Sequence, residues 1–296
     1  MGIFRAKSLF NSIDNTLIKE LVEIDDELKE KIRKIQLEML RVLNELCIKN
    51  KINLMLGGGS FLGAIRHKGF IPWDDDIDVS MERKDFEIFK KIALKDLRKD
   101  MLLDSHSLDE MIKYMPLKIR YKYSEYIEKW DDKENKQKGI YIDVFPFDKF
   151  SMNKKIRFLE MFPKFLYKLK TSRIWTKQSG LKYYVKLLII KILNKLPSFY
   201  IIEKNKKYLE KSKKLDKNYV LGFGYGLTWT NTFFKEKIFP LKELNFEGIK
   251  LKVPFDSESY LRELYGDYMK IPDESKRQTH AKSIKILKEI EEDGIF

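Results

Sequence analysis

The chain has 296 residues, 59 Lys+Arg against 45 Asp+Glu and a formal net charge of +14, and its 43% hydrophobic content excludes a wholly disordered protein. The length suits one large domain or two of about 150 residues each. A single cysteine, Cys47, excludes an internal disulfide framework and any multi-cysteine zinc or iron–sulfur site.

The opening residues MGIFRAKSLFNSIDN hold no apolar run of signal-peptide length, and no stretch approaches the ~18 apolar residues of a membrane span, so a cytoplasmic location is expected. From Leu17 to Ile48 apolar residues recur on one helical face, which predicts a long amphipathic helix with Cys47 as a small core residue near its end. Ile52–Leu56 reads as a strand. It enters Gly57-Gly58-Gly59-Ser60, and a helix follows over Phe61–Arg66. After a Gly69/Pro72 turn, Asp76–Met81 alternates as a strand does. Arg83–Leu97 reads as a helix, Met115–Tyr121 and Ile140–Phe145 as strands, and Trp130–Gly139 as a charged loop.

The positive charge is local. Residues 149–217 carry 20 Lys+Arg against 4 Asp+Glu, a net of +16, which leaves the remainder at −2. In this segment Phe158, Leu159, Phe162, Phe165, Leu166 and Leu169 fall at one-face helical spacing, with Pro163 expected to start or kink the helix. A solvated lysine face on a helical subdomain accounts for the pattern, and so does an anionic membrane surface. Nucleic acid is the weaker reading of the same charge. A Gly/aromatic stretch (Gly222–Trp229) and a short helix at Ser257–Tyr265 complete the order. The expected fold is α+β, a small mixed sheet flanked by helices. The expected organisation is a catalytic core over 1–148, a basic helical insertion over 149–217 and a completing part over 218–296.

Leu56–Met81 carries the chemistry. Glycines let the backbone approach a ligand closely, and N–H groups at a helix start favour an anion. Asp76 and Asp78, two apart on a strand, face the same way, as a hard divalent cation holding a polyphosphate requires. Together they describe a phosphoryl or nucleotidyl transfer site using Mg²⁺ or Mn²⁺. Walker A spacing is absent, and a dinucleotide fingerprint beginning at Gly57 would need glycine where Leu62 stands. Asp143, an acid inside an apolar strand, is the expected third carboxylate; the other reading is a sheet-edge acid paired with a lysine. Asp148 reads as a loop cap. Asp74, Asp75 or Asp143 is the candidate general base. Arg66, His67 and Lys68, and Lys118 with Arg120 on one strand face, are candidate phosphate clamps, with ordinary surface charge as the alternative. Trp73 reads either as an aromatic wall for a base or quaternary ammonium, or as a core anchor for the acidic turn. His106 carries no functional argument.

Gly58-Gly59-Ser60 followed by Asp76-Ile77-Asp78-Val79 is similar to the signature of the nucleotidyltransferase superfamily. More narrowly, GGGSFLGAIRHKGFIPWDDDIDVSM resembles the hallmark block of the LicD family of phosphotransferases. YIDVFPFD (Tyr141–Asp148) and YLRELYGDYMKIPDESKRQTH (Tyr260–His280) resemble its later blocks, whereas no block falls between Phe150 and Asn218. The family includes bacterial enzymes that place phosphocholine on surface glycans and fukutin-related proteins that transfer ribitol phosphate. The resemblance implies a nucleotidyltransferase-like fold, a CDP-alcohol donor, a glycan acceptor and release of CMP; a lipid-linked glycan acceptor would account for the basic segment and place the protein at the inner face of the cell membrane. It also implies metal binding by Asp76, Asp78 and Asp143, donor-phosphate binding by Gly58, Gly59 and Ser60, and roles for Asp267 and His280. With one cysteine, the zinc site of fukutin-related proteins is not expected. The rival readings are a nucleotidyltransferase that moves NMP and a non-catalytic scaffold on anionic membrane.

Overall fold

The computed structural model describes residues 25–104, 117–129, 138–171, 180–195, 219–224, 230–277 and 279–290, with a few positions between 203 and 211. Helix α1 (Asp26–Lys49) starts where Asp25 accepts the Leu28 N–H at 2.7 Å, with Asp26 and Glu27 in its first turn to meet the helix dipole. The expected extension over 17–24 lies outside the described residues. Ile32, Ile35, Met39, Leu43 and Leu46 form its buried stripe. Cys47 is a core residue whose thiol is pushed up to about 12 by burial.

The chain continues through β1 (Met55–Leu56), α2 (Gly58–Arg66), β2 (Ile77–Glu82), α3 (Arg83–Asp96), β3 (Met101–Leu103), β4 (Leu117–Tyr121), β5 (Ser124–Glu128) and β6 (Tyr141–Ser151). Helices α4 (Lys154–Thr171) and α5 (Leu181–Asn194) follow, then β7 (Tyr219–Phe223), β8 (Thr232–Phe234), α6 (Lys235–Ile238), β9 (Lys242–Phe246), β10 (Ile249–Val253), α7 (Ser257–Tyr265) and β11 (Ala281–Ile286). Two expectations therefore shift. Gly58 and Gly59 are not a loop before a helix but its first turn, and β6 runs six residues beyond Phe145.

Among the described residues one mixed sheet holds nine strands, in the order β3-β4-β6-β2-β1-β10-β9, with β7 beside β6 and β8 beside β7. It is not the small sheet expected. The reason is the eleven-residue length of β6, which pairs with β4 along Tyr141–Val144 and with β7 along Phe147–Ser151, while β2 runs parallel to it on the other side. β5 and β11 form a separate antiparallel pair. Ile77, Val79 and Met81 of β2 and Ile140, Ile142 and Val144 in and beside β6 are fully buried, so the centre of the sheet is also the centre of the core.

Asp148 is not a loop cap. It lies in β6, fully buried, and its two carboxylate oxygens take Arg83 Nε and Nη2 at 2.7 and 2.9 Å. A bidentate guanidinium is what makes a carboxylate tolerable at that depth. Pro163 lies inside α4 and does not start it. His106 and the loop over 130–137 lie outside the described residues. Among the described residues no helix is long and apolar enough to cross a membrane.

Candidate active site

The site is built at the β1–α2–β2 corner. Gly58 has φ +46°, a left-handed conformation that favours glycine, and a Cβ there would collide with the Asp78 carboxylate. That close approach lets the Gly59 N–H donate to Asp78 Oδ2 at 2.9 Å, while the Ser60 hydroxyl accepts the Asp78 N–H at 2.9 Å. The Gly57 N–H donates to the Asp78 carbonyl. Of the residues expected to bind the donor phosphates, Gly59 therefore has its amide engaged with the Asp78 carboxylate. Gly57 caps α2 without a side chain, so the Gly58 and Ser60 amides stand at an uncapped helix start.

Asp143 is the register partner of Asp78 across the parallel β2–β6 pair, and Lys118 is the register partner of Asp143 across β4. The sheet-edge reading of Asp143 is overturned, since β6 has a strand on each side, but its lysine partner is real. Lys118 Nζ lies 3.3 Å from Asp143 Oδ2, 3.1 Å from Glu128 Oε1 and over the Tyr141 ring. Asp76, Asp78 and Asp143 bring ligand atoms within 4.8 Å of one another; Asp74, Asp76 and His280 do the same. Either group could hold a metal ion.

The electrostatics fit such an ion. Burial, then the charges of Asp76, Asp143 and Asp74, holds the Asp78 carboxyl well above the usual carboxylate range. Burial and Asp76 push Asp74 up to about 8. Burial raises Asp143 to about 6, with Lys118 opposing. Asp143 Oδ1 is buried with no hydrogen-bond partner. Three acids crowded this closely, one with an orphaned oxygen, are a poor arrangement for metal-free protein and a suitable one around a hard cation.

Asp75 points elsewhere. Its carboxylate takes the Tyr126 hydroxyl and the N–H groups of His280 and Ala281, and faces His280 Nδ1 at 3.2 Å. Although burial opposes it, the bonds to His280 hold Asp75 below its ordinary value. The same carboxylates, Asp75 and Asp76, overcome burial and raise His280 to about 11. Of the candidate bases, Asp75 is thus committed to anchoring β11. From the other side, buried Gln36 of α1 donates to the Asp75 carbonyl at 2.8 Å and fixes the acidic turn.

A profile of the family described as "LicD/FKTN/FKRP, nucleotidyltransferase domain" matches residues 51–175. The chain is 30% identical over 267 residues to the lipopolysaccharide cholinephosphotransferase LicD of Haemophilus influenzae, covering 84% of this chain and 95% of that protein. The chain belongs to the LicD family of phosphotransferases. Short matches reach uncharacterised proteins of Rickettsia typhi (38% over 55 residues) and Rickettsia prowazekii (40% over 48 residues), 19% and 16% of this chain and 18% of each of theirs.

In this LicD-family chain the remaining sequence candidates divide. Arg66 donates to the carbonyls of Tyr268 and Lys270 and to His67 Nε2, and its guanidinium lies 5.9 Å from the Trp73 ring. His67 meets Trp73 edge-on. Lys68 is exposed. Trp73 is partly buried against the core, and Arg277 sits 4.5 Å over its ring, so a cation already occupies that aromatic face. Arg120 shares a strand face with Lys118 but is 1% exposed and spends its guanidinium on Asp104 and the Gly139 carbonyl. It supports the fold and cannot reach a phosphate. Asp267 is exposed. Sequence reasoning missed Glu128, Tyr126 and Arg277. Only the alternation Tyr126–Glu128 on a strand that pairs with β11 near His280 could have suggested the first two.

Proposed function

We propose that this chain catalyses metal-dependent transfer of a phospho-alcohol, phosphocholine first among them, from a CDP-activated donor to a hydroxyl of a surface-glycan precursor, with release of CMP. The reading rests on one observation above all, the convergence of Asp76, Asp78 and Asp143 beside the glycine corner. It is supported by the similarity to a protein named for lipopolysaccharide phosphocholine transfer. The strand–glycine corner–helix–strand core is read as nucleotidyltransferase-like. The glycan acceptor is taken to be carried at the inner face of the cell membrane.

Asp76, Asp78 and Asp143 would hold Mg²⁺ or Mn²⁺, which when bound supplies charge neutralisation for the donor pyrophosphate. The amides of Gly58 and Ser60 receive phosphate oxygens at the start of α2. Arg66 and Arg277, flanking Trp73 beside Asp74, bind further phosphate oxygen; Trp73 holds guanidinium and is not a cage for the quaternary ammonium. The acceptor oxygen forms a bond to the distal phosphorus and the bond from that phosphorus to the CMP oxygen breaks, the electron pair leaving with CMP. Asp74, partly exposed beside the acid cluster, takes the hydroxyl proton. Lys118 keeps Asp143 oriented and partly neutralised.

The test is a panel of CDP-choline, CDP-ethanolamine, CDP-ribitol and CDP-glycerol with Mg²⁺, scored for thermal shift and for CMP. Pyrophosphate released from a nucleoside triphosphate, with no CMP from any CDP-alcohol, would move the assignment to NMP transfer. Cellular function unchanged by Asp78→Asn would support the scaffold.

A further inference from the structure

Helices α4 and α5 leave the sheet after β6, pack on one another and return to β7. Among the described residues, the side chains that α4 and α5 bury are Glu160 and Pro163 on α4 and Ile190 and Leu193 on α5, with Met161 packed against Phe150 and Val220. On the opposite side of α4, Phe158 and Phe165 are 65% and 58% exposed, with Phe162 between them and its ring 6.0 Å from that of Phe158. On α5, Tyr184, Leu188 and Ile192 are 62%, 59% and 55% exposed at the same helical spacing. Such a concentration of large apolar side chains in water calls for a covering surface.

The charge says which kind. Glu160 is the only carboxylate in either helix, and it is buried, accepting the Ser151 N–H at 2.8 Å. Lys154, Lys155 and Lys191 are exposed beside the apolar side chains. A protein partner's apolar face would match the phenylalanines but leave the lysines uncompensated, and a nucleic acid would match the lysines but leave the phenylalanines in water. A surface that is anionic at its plane and hydrocarbon just beneath satisfies both.

We propose that the α4–α5 pair is an interfacial membrane anchor, which lays Phe158, Phe162, Phe165, Leu188 and Ile192 into the headgroup–acyl boundary of an anionic bilayer. The helices lie in the plane of the interface and do not span it. The anchor shares with the proposed function only the premise that the acceptor is membrane-borne; the acids take no part in it.

The experiment is co-sedimentation of the full chain with phosphatidylglycerol-rich vesicles, with phosphatidylcholine vesicles and with no lipid, at low and high salt. The expected result is partition onto the anionic vesicles, weakened about tenfold or more by salt, by removal of the anionic lipid, or by the triple variant F158S/F162S/F165S. The variant should keep its thermal transition and its CMP release with a soluble acceptor. Absence of wild-type partition, or partition insensitive to the triple variant, overturns the anchor. So does a dimer in lipid-free solution that the variant dissolves, which assigns the face to a second copy. So does salt-sensitive binding to single-stranded nucleic acid with none to vesicles. If vesicles bind as expected but no CDP-alcohol yields CMP, the anchor stands and the proposed reaction falls.

Discussion

Asp78 and Asp143 stand directly opposite one another on the parallel strands β2 and β6, and Lys118 follows in the same row on β4. At a strand spacing of about 4.8 Å, two carboxylates on one face repel strongly in a buried setting. The lysine beside Asp143 relieves only part of that. Asp78→Asn and Asp143→Asn should each lower CMP release about 100-fold or more, while the thermal transition in EDTA stays level or rises because a repelled charge has gone. A parallel fall in both quantities would assign these acids to folding alone.

The pH dependence has a definite sign. Asp74 at about 8, Asp143 at about 6 and the strongly raised Asp78 all bind protons more tightly in the folded chain than at the ordinary carboxylate value near 4. The folded state therefore holds more protons than the unfolded one between about pH 4 and 8, and stability falls as pH rises through that window. His280, raised to about 11, acts in the same direction above about pH 6.5. Metal-free protein should melt lower at pH 8.5 than at pH 5.5. Added Mg²⁺ or Mn²⁺ should restore more at the higher pH, and scanning calorimetry with and without EDTA reads both changes.

Gly58→Ala puts a methyl group on a left-handed backbone and into the Asp78 carboxylate. Destabilisation of roughly 1–3 kcal/mol is expected, together with a loss of turnover larger than that of a substitution equally destabilising elsewhere in the core. Urea unfolding and CMP release on the same preparation compare the two.

Arg83 and Asp148 make an isolated test of burial. Asp148→Ala removes the bidentate carboxylate from a buried guanidinium, at a cost of about 3–5 kcal/mol. The double variant Arg83→Met/Asp148→Leu should recover most of this. Equilibrium unfolding measures both, and equal losses in single and double variants would contradict the desolvation argument.

Around Trp73, Arg277→Gln should raise the KM for the CDP-alcohol about tenfold with a smaller change in kcat, since it removes the proposed phosphate contact and leaves the acids in place. Arg277→Lys should recover only part of the effect, because an ammonium does not stack as a guanidinium does.

Much of this site can be read along the chain. The period-2 alternation around Asp76–Asp78 and the glycine run before a helix locate one half, and an acid inside the apolar run at Asp143 locates the other. What resists reading is whatever depends on distant partners. Asp75 and Asp76 are neighbours of the same type, yet one faces the acid cluster and the other is taken by the His280 and Ala281 amides. Lys118 and Arg120 share a strand face, yet Asp104 claims the arginine. Asp148 follows Pro146 in a stretch that looks like a turn, and only pairing with β7 makes it strand. Spacing fixes the direction of a side chain, whereas its partner is fixed by tertiary structure.

The tie between Asp75 and the His280 amide joins points 205 residues apart along the polypeptide. Closing so wide a loop is entropically slow, and it rewards the chain only after the intervening strands have been laid down. Recovery of turnover after dilution from denaturant should therefore lag the return of helical signal. A molecule caught before that closure would be compact, largely structured and inert.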